Sequence, residues 1–246
     1  MTRRVHVDSL QSGESVLSDA QAHHVRDVLR SQVGQIVEAF DNAGHVARAT
    51  VVQIGRNEVR LSVDAADIST PRSDPDGPAI IVASAVPKAG RADWMVEKLS
   101  EFGAAAFMPL STARSVVKPN GENKPDRWRR IATESAKQSR RSGVMRIDAL
   151  SNVSDALTQA IGGGGAVWMT PDENAQPIAE VLDQFAAARC VTIFIGPEGG
   201  WDGKEADEFK RRGAVAARFG RSTILRTETA AIAAAAWVLH RRITKI

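Results

Sequence analysis

Two short polar loops in the C-terminal part of the chain carry the residue types that chemistry needs. One is Gly196-Pro197-Glu198-Gly199-Gly200 and the other Arg226-Thr227-Glu228-Thr229. Glycines let a backbone turn freely and approach a ligand closely, and Pro197 removes one amide donor. Glu198 and Glu228 are carboxylates that could take up a proton, and Arg226 could steady developing negative charge. Each also has a plain structural reading. A glycine loop can simply turn a corner, Glu198 can bond the amides of its own loop, and an acid in the first turn of a helix complements its dipole. Two familiar chemistries are excluded. A P-loop needs G-x-x-x-x-G-K-[ST], and the nearest frame, Glu198 to Glu205, fails at both ends. No G-x-G-x-x-G fingerprint occurs here either, and the Gly162–Gly165 run, which precedes a strand-like segment, reads as a flexible turn.

The elements around these loops follow from the pattern. Val191 to Ile195 is uncharged and β-rich, as in a strand buried on both faces. Asp202 and Glu205 have the spacing of a capping box before a helix over Ala206–Arg212. The order strand, glycine loop, helix places the loop at the carboxyl end of a strand, where open α/β sheets bind ligands. Thr223-Ile224-Leu225 reads as a short strand leading into the second loop, and Ala230–His240 as an Ala-rich helix. Upstream, strands are expected at Ala79–Val86, Ala104–Leu110, Ile147–Leu150 and Ala166–Met169, with helices at Ala92–Phe102, Pro125–Arg141 and Ile178–Ala188. Such alternation implies a mainly parallel sheet.

Residues 1 to about 68 differ in character. Strands at Arg4–Val7, Gln35–Phe40, Val46–Ile54 and Glu58–Val63, with a helix at Ala22–Arg30, suggest a small barrel or meander. Asp67–Pro78, with three prolines, is the most linker-like segment and marks the domain boundary. The single cysteine, Cys190, excludes an internal disulfide and a cysteine zinc cluster. Adjacent His23 and His24 cannot face one metal on a helix, so no metal is expected. No apolar signal segment or membrane-length run is visible, and the expected compartment is the cytoplasm. Net charge is only +3, but Lys124–Arg146 holds eight Lys or Arg against two acids. On a helix that is a basic stripe, read either as a solvated face or as an RNA contact.

GPEGG and ILRTETA resemble the last two motifs of the SPOUT methyltransferases, and more closely those of the RsmE family, which methylates N3 of a uridine in 16S ribosomal RNA. HHVRDVLR at His23–Arg30, the loop Ser111–Lys118 and Gln138-Ser139 also resemble that family's motifs. Trp201 stands where Phe is commoner, and Phe219-Gly220-Arg221-Ser222 replaces a typical Leu-Gly-x-Arg lead. The resemblance implies a PUA-like RNA-binding β-barrel over residues 1–72 and a SPOUT α/β domain over 79–246, whose trefoil knot holds S-adenosylmethionine. The knot is implied by the resemblance alone, since threaded chains are generally disfavoured.

For the site, the resemblance implies cofactor contacts from Met169, Thr170, Gly196, Pro197, Gly199, Gly200, Leu225, Arg226, Thr227, Glu228, Thr229 and Ala230; of the candidate carboxylates and cation that the chemistry asks for, Glu198 and Arg226 are preferred in catalytic roles. RNA contacts are expected from Arg4, His24, Arg30, Lys88, Arg114, Lys118, Arg127, Arg130, Arg140 and Arg141. The implied partners are the small ribosomal subunit and a second copy of the chain, as a homodimer. Two other readings stay open: a non-catalytic RNA-binding protein, and a SPOUT enzyme acting on transfer RNA or a ribose 2′-hydroxyl.

Overall fold

The computed structural model describes residues 3–69, 77–88, 90–115, 123–220 and 224–244. It divides into two compact units, Met1–Ser73 with Ala136–Val144, and Asp74–Ser135 with Met145–Ile246.

The first unit contains β1 (Arg4–His6), β2 (Gly13–Ser18), α1 (Asp19–His23), β3 (Ile36–Phe40), β4 (Val46–Ile54) and β5 (Glu58–Val63), in the sheet order β1-β3-β4-β5-β2. β5 shows why these residues form a sheet. Val59, Leu61 and Val63 alternate with Glu58, Arg60 and Ser62, and the apolar set is buried. It packs with Val5, Leu17, Val25, Val37 and Val51 in one core. The β4–β5 register slips between Val51 and Gln53, and such a bulge increases local twist. The unit is thus a curled, half-barrel form of the small β-barrel expected. The helix expected over Ala22–Arg30 forms over Asp19–Val28 but changes pitch: α1 ends at His23 and the run continues as a wider π-helix over His24–Val28, with Leu29 N–H reaching back five residues to His24 O at 2.8 Å. Arg30 then adopts a left-handed φ of 48°, which stops the helical run. β2 was not anticipated, because this edge strand buries Leu17 but leaves Val16 exposed and shows no apolar run.

A buried polar cluster in this unit makes its stability pH-dependent. Asp41 accepts hydrogen bonds from Leu10 N, His45 N and His45 Nδ1 at 3.0, 2.9 and 2.9 Å. Burial alone would raise the carboxyl's pKa, but these bonds outweigh it and hold it below the usual value. His6 pairs with Asn42 Oδ1 at 2.9 Å, and burial pushes the imidazole's pKa down from its ordinary 6.5. In both cases the unfolded chain binds protons more readily, so stability falls on acidification, first below about 6.5 and again through the carboxylate range. The melting temperature is therefore expected to drop between about pH 7 and about pH 5, and His6→Gln to flatten that part of the curve. A His6→Gln profile parallel to wild type would contradict this assignment.

The second unit runs β6 (Ala79–Ala85), α2 (Gly90–Glu101), β7 (Ala106–Ser111), α3 (Asn123–Ser139, its end grouping with the first unit), β8 (Arg146–Ile147), β9 (Ser151–Asn152), α4 (Val153–Gly163), β10 (Ala166–Met169), β11 (Gln176–Pro177), α5 (Ile178–Gln184), β12 (Cys190–Ile195), α6 (Gly203–Arg211), β13 (Val215–Arg218) and α7 (Thr227–Thr244). The sheet order is β11-β13-β10-β12-β6-β7-β8, with β9 also on β7, and every pairing given is parallel. β12 lies between β10 and β6, and Val191–Ile195 are at most 2% exposed, as a strand covered on both faces requires.

Three expectations change here. Ile224 and Leu225 belong to no strand, and Ile224 is 82% exposed; Thr223 lies outside the described residues. The strand that leads toward the second loop is β13, whose Val-Ala-Ala-Arg carries no strong β signal and owes its form to pairing with β10 and β11. The Gly162–Gly165 run ends α4, with Gly162 and Gly163 still helical and Gly164 as its C-cap, and its last two residues are closely packed. A Cβ on Gly164 (φ 151°) would lie 2.4 Å from Cys190 O, and one on Gly165 would lie 2.3 Å from the Phe185 ring. Finally, Lys137 of the basic stripe is buried and bonds Gln21 Oε1 at 3.1 Å. No helix among the described residues is long and apolar enough to cross a membrane.

Candidate active site

The site is built where strands of the second unit end. β12 stops at Ile195, and the glycine loop closes with Gly200 N–H on Pro197 O at 2.8 Å, Gly200 taking a φ of 69°. Side chains in this position rarely tolerate that angle, which is why glycine stands there. Asp202 then caps α6 in the capping box that its spacing predicts: Asp202 Oδ1 accepts from Glu205 N at 2.7 Å, and Glu205 Oε2 from Asp202 N at 3.0 Å.

Trp201 anchors the loop from below. Its ring meets Phe209 edge-on at 4.9 Å, and Phe209 in turn stacks on Trp168 at 5.2 Å and meets Phe194 at 5.1 Å. The Trp201 indole N–H bonds Met169 O, the last carbonyl of β10, at 2.9 Å. A phenylalanine could pack there but could not make this bond. Gly196 lies against the same indole, so that a Cβ would come within 3.1 Å of it.

The second loop meets the first through Thr227, which is buried and whose hydroxyl donates to Gly196 O at 3.0 Å. These two loops do not end neighbouring strands, as β10 lies between β12 and β13. They meet because α7 turns back from β13 to pack against β6 and β12. Glu228, 4% exposed, accepts from Arg91 Nη1 of α2 through Oε1 at 3.2 Å, while its buried Oε2 has no partner among the described residues. A carboxylate oxygen buried without a donor is costly, and the indole N–H of Trp168 is buried and unpartnered in the same way.

Of the expected cofactor residues, Met169, Gly196 and Thr227 are therefore joined, directly or through Trp201, in one cluster. Pro197 and Ala230 are buried; Thr170, Gly200 and Leu225 are half-buried; Gly199 and Thr229 are exposed. Glu198 and Arg226 both face solvent. Sequence reasoning missed Arg91, which only the packing of α2 on α7 brings to Glu228, and the role of the Trp201 N–H.

The expected RNA contacts vary in placement. Lys88, Arg130, Arg30 and Arg140 are exposed, the last with a left-handed φ of 57°. Arg127 pairs with Asp93 at 2.6 Å, His24 and Arg141 are half-buried, and Lys118 lies outside the described residues. Arg4 is buried, bonds Glu38 and Ala136 O, and lies 4.3 Å from the Phe40 ring centre, so its charge is spent inside the first unit. Arg114 donates to Gly199 O at 2.8 Å.

Known proteins match this arrangement. The RNA methyltransferase domain family matches residues 75–239, and the RNA methyltransferase PUA domain family residues 17–64. Ribosomal RNA small subunit methyltransferase E of Mycobacterium bovis is 31% identical over 226 residues, covering 89% of this chain and 84% of its own. The Bacillus subtilis protein of the same name is 27% identical over 87% and 85% of the two chains. A crystal structure of the Neisseria gonorrhoeae protein of that name, bound to S-adenosyl methionine, shares the fold with a TM-score of 0.81 at 23% identity over 98% of both chains. With both family domains in the same order and a relative this similar over most of its length, the chain belongs to the ribosomal RNA small subunit methyltransferase E family.

Proposed function

We propose that the chain methylates N3 of a uridine in small-subunit ribosomal RNA, using S-adenosylmethionine. The observation that carries this reading is the cluster of Met169, Trp201, Gly196 and Thr227, which fastens both polar loops together at the end of the sheet, beside the half-partnered Glu228. The residues present fit the donor. It carries an ammonium and ribose hydroxyls, and Glu228 Oε2 lacks such a donor group.

When bound, S-adenosylmethionine supplies a methyl group on a positively charged sulfur. The chain supplies orientation, which can be worth about 7–11 kcal/mol when the reacting atoms are aligned. Uridine N3 must lose its proton before it attacks well; exposed Glu198 is the carboxylate that accepts it, with exposed Arg226 steadying negative charge on the uracil oxygens. N3 is hidden in a duplex, so the target base is unpaired or flipped. Residues 1–72 act as the PUA-like RNA-binding domain and 79–246 as the methyltransferase domain, whose α7 return past the glycine loop supports the knotted form. Arg30, Lys88, Arg127, Arg130, Arg140 and Arg141, with His24, bring RNA phosphate to the protein. The chain works as a homodimer in the cytoplasm.

Two measurements test this. Calorimetry is expected to show one saturable S-adenosylmethionine site per chain, and small subunits from a strain lacking the protein are expected to gain a single methyl on uridine when treated with it. No saturable binding would leave RNA binding as the activity instead.

A further inference from the structure

The loop after β7 is fastened onto the glycine loop after β12, although β6 separates the two strands. Three contacts do this. Arg114 Nη1 donates to Gly199 O at 2.8 Å, the Arg114 stem lies where a Cβ on Gly199 would come within 3.3 Å, and Ala113 N donates to Glu205 Oε1 at 2.9 Å. Glu205 thereby uses both oxygens, one to cap α6 and one to hold the neighbouring loop. The loop is stiff on its own side as well: Thr112 and Ser115 hydroxyls lie 2.8 Å apart, and Ser115 N donates to Thr112 O at 3.2 Å.

We infer that Arg114 and Glu205 are positioning residues for the methyl donor, clasping residues 112–115 over the glycine loop across the end of β6, and that Arg114 is not a phosphate contact. This rests on the functional reading above. Nη1 of the exposed guanidinium holds a carbonyl whose orientation sets the peptide plane joining Gly199 to Gly200, a group that would face the donor. A surface arginine kept for RNA would be expected to leave its fork free for phosphate oxygens.

The two roles separate in solution. Arg114→Met keeps the stem on Gly199 but removes charge and donors. It is expected to weaken S-adenosylmethionine binding about 5- to 10-fold by calorimetry. Binding of a small-subunit ribosomal RNA transcript should keep its salt dependence unchanged. Arg114→Lys, which can still reach the carbonyl, should recover part of the loss. Glu205→Gln offers one acceptor where two are needed, so it should also weaken donor binding, and the double variant should lose less than the product of the single effects because both loosen one contact surface. If Arg114→Met leaves donor affinity within about twofold while the slope of log K against log salt falls by about 1, Arg114 is a phosphate contact and the inference is overturned alone. If the wild-type chain binds no S-adenosylmethionine, the functional reading falls and takes this inference with it.

Discussion

Glu228→Ala is expected to weaken S-adenosylmethionine binding by roughly 10- to 100-fold, the cost of a charge-assisted hydrogen bond of about 1.5–3 kcal/mol. The reasoning is local. Thr227 and Glu228 open α7, and Thr227 is tied to the glycine loop, which fixes the backbone from which the carboxylate projects. Arg91 satisfies Oε1 and leaves Oε2 buried without a donor. In the proposed function a ligand N–H or O–H supplies the missing hydrogen. Glu228→Gln keeps the volume but offers one acceptor oxygen in place of two, and should fall between wild type and alanine. The Arg91 side chain is 40% exposed but Glu228 is buried, so Arg91→Ala would leave both carboxylate oxygens without a donor and should cost stability about 1–3 kcal/mol. Calorimetry alongside thermal melts distinguishes the cases. If Glu228→Ala melts normally and binds the donor as wild type does, the unpartnered oxygen has no part in the site.

Trp201→Ala should remove about 3–5 kcal/mol of stability and abolish donor binding at accessible concentrations. Truncation would leave an empty space against Phe209 and Gly196 and free the Met169 carbonyl, so that three segments of the site lose their common support. Trp201→Phe separates packing from hydrogen bonding. It should keep most of the ring contact and lose only the bond to Met169 O, for about 1 kcal/mol. Equal losses in the two variants, read by chemical denaturation, would mean that the ring contributes little and the account of the loop's support is wrong.

Much of this architecture was legible before any coordinates. β4 and β5 fall on Val46–Ile54 and Glu58–Val63 as their alternation indicates, and β10 on Ala166–Met169. The capping box at Asp202 and Glu205 appears as its spacing requires. Where a local pattern was silent, the element was set by distant partners. β13, Val-Ala-Ala-Arg, exists through its pairing with β10 and β11, so its weak signal was lost to the more apolar Thr223-Ile224-Leu225 downstream. α4 begins at an asparagine cap and ends in a glycine run, both of which read as turn, yet Leu157 is fully buried in the core of the second unit. For the site, the residue types in the two loops were plain. That Thr227 rather than a charged neighbour joins them, that Arg91 holds Glu228, and that Arg114 holds Gly199 depend on how β6 and β7 order beside β12, which periodicity does not encode.

The measurement that bears most directly on the site is a crystal structure of the chain grown with S-adenosylmethionine. Density for the donor is expected among Met169–Thr170, Gly196–Gly200 and Leu225–Ala230, with one of its N–H or O–H groups on Glu228 Oε2. A donor bound elsewhere, or in contact with only one of the two polar loops, would contradict the account.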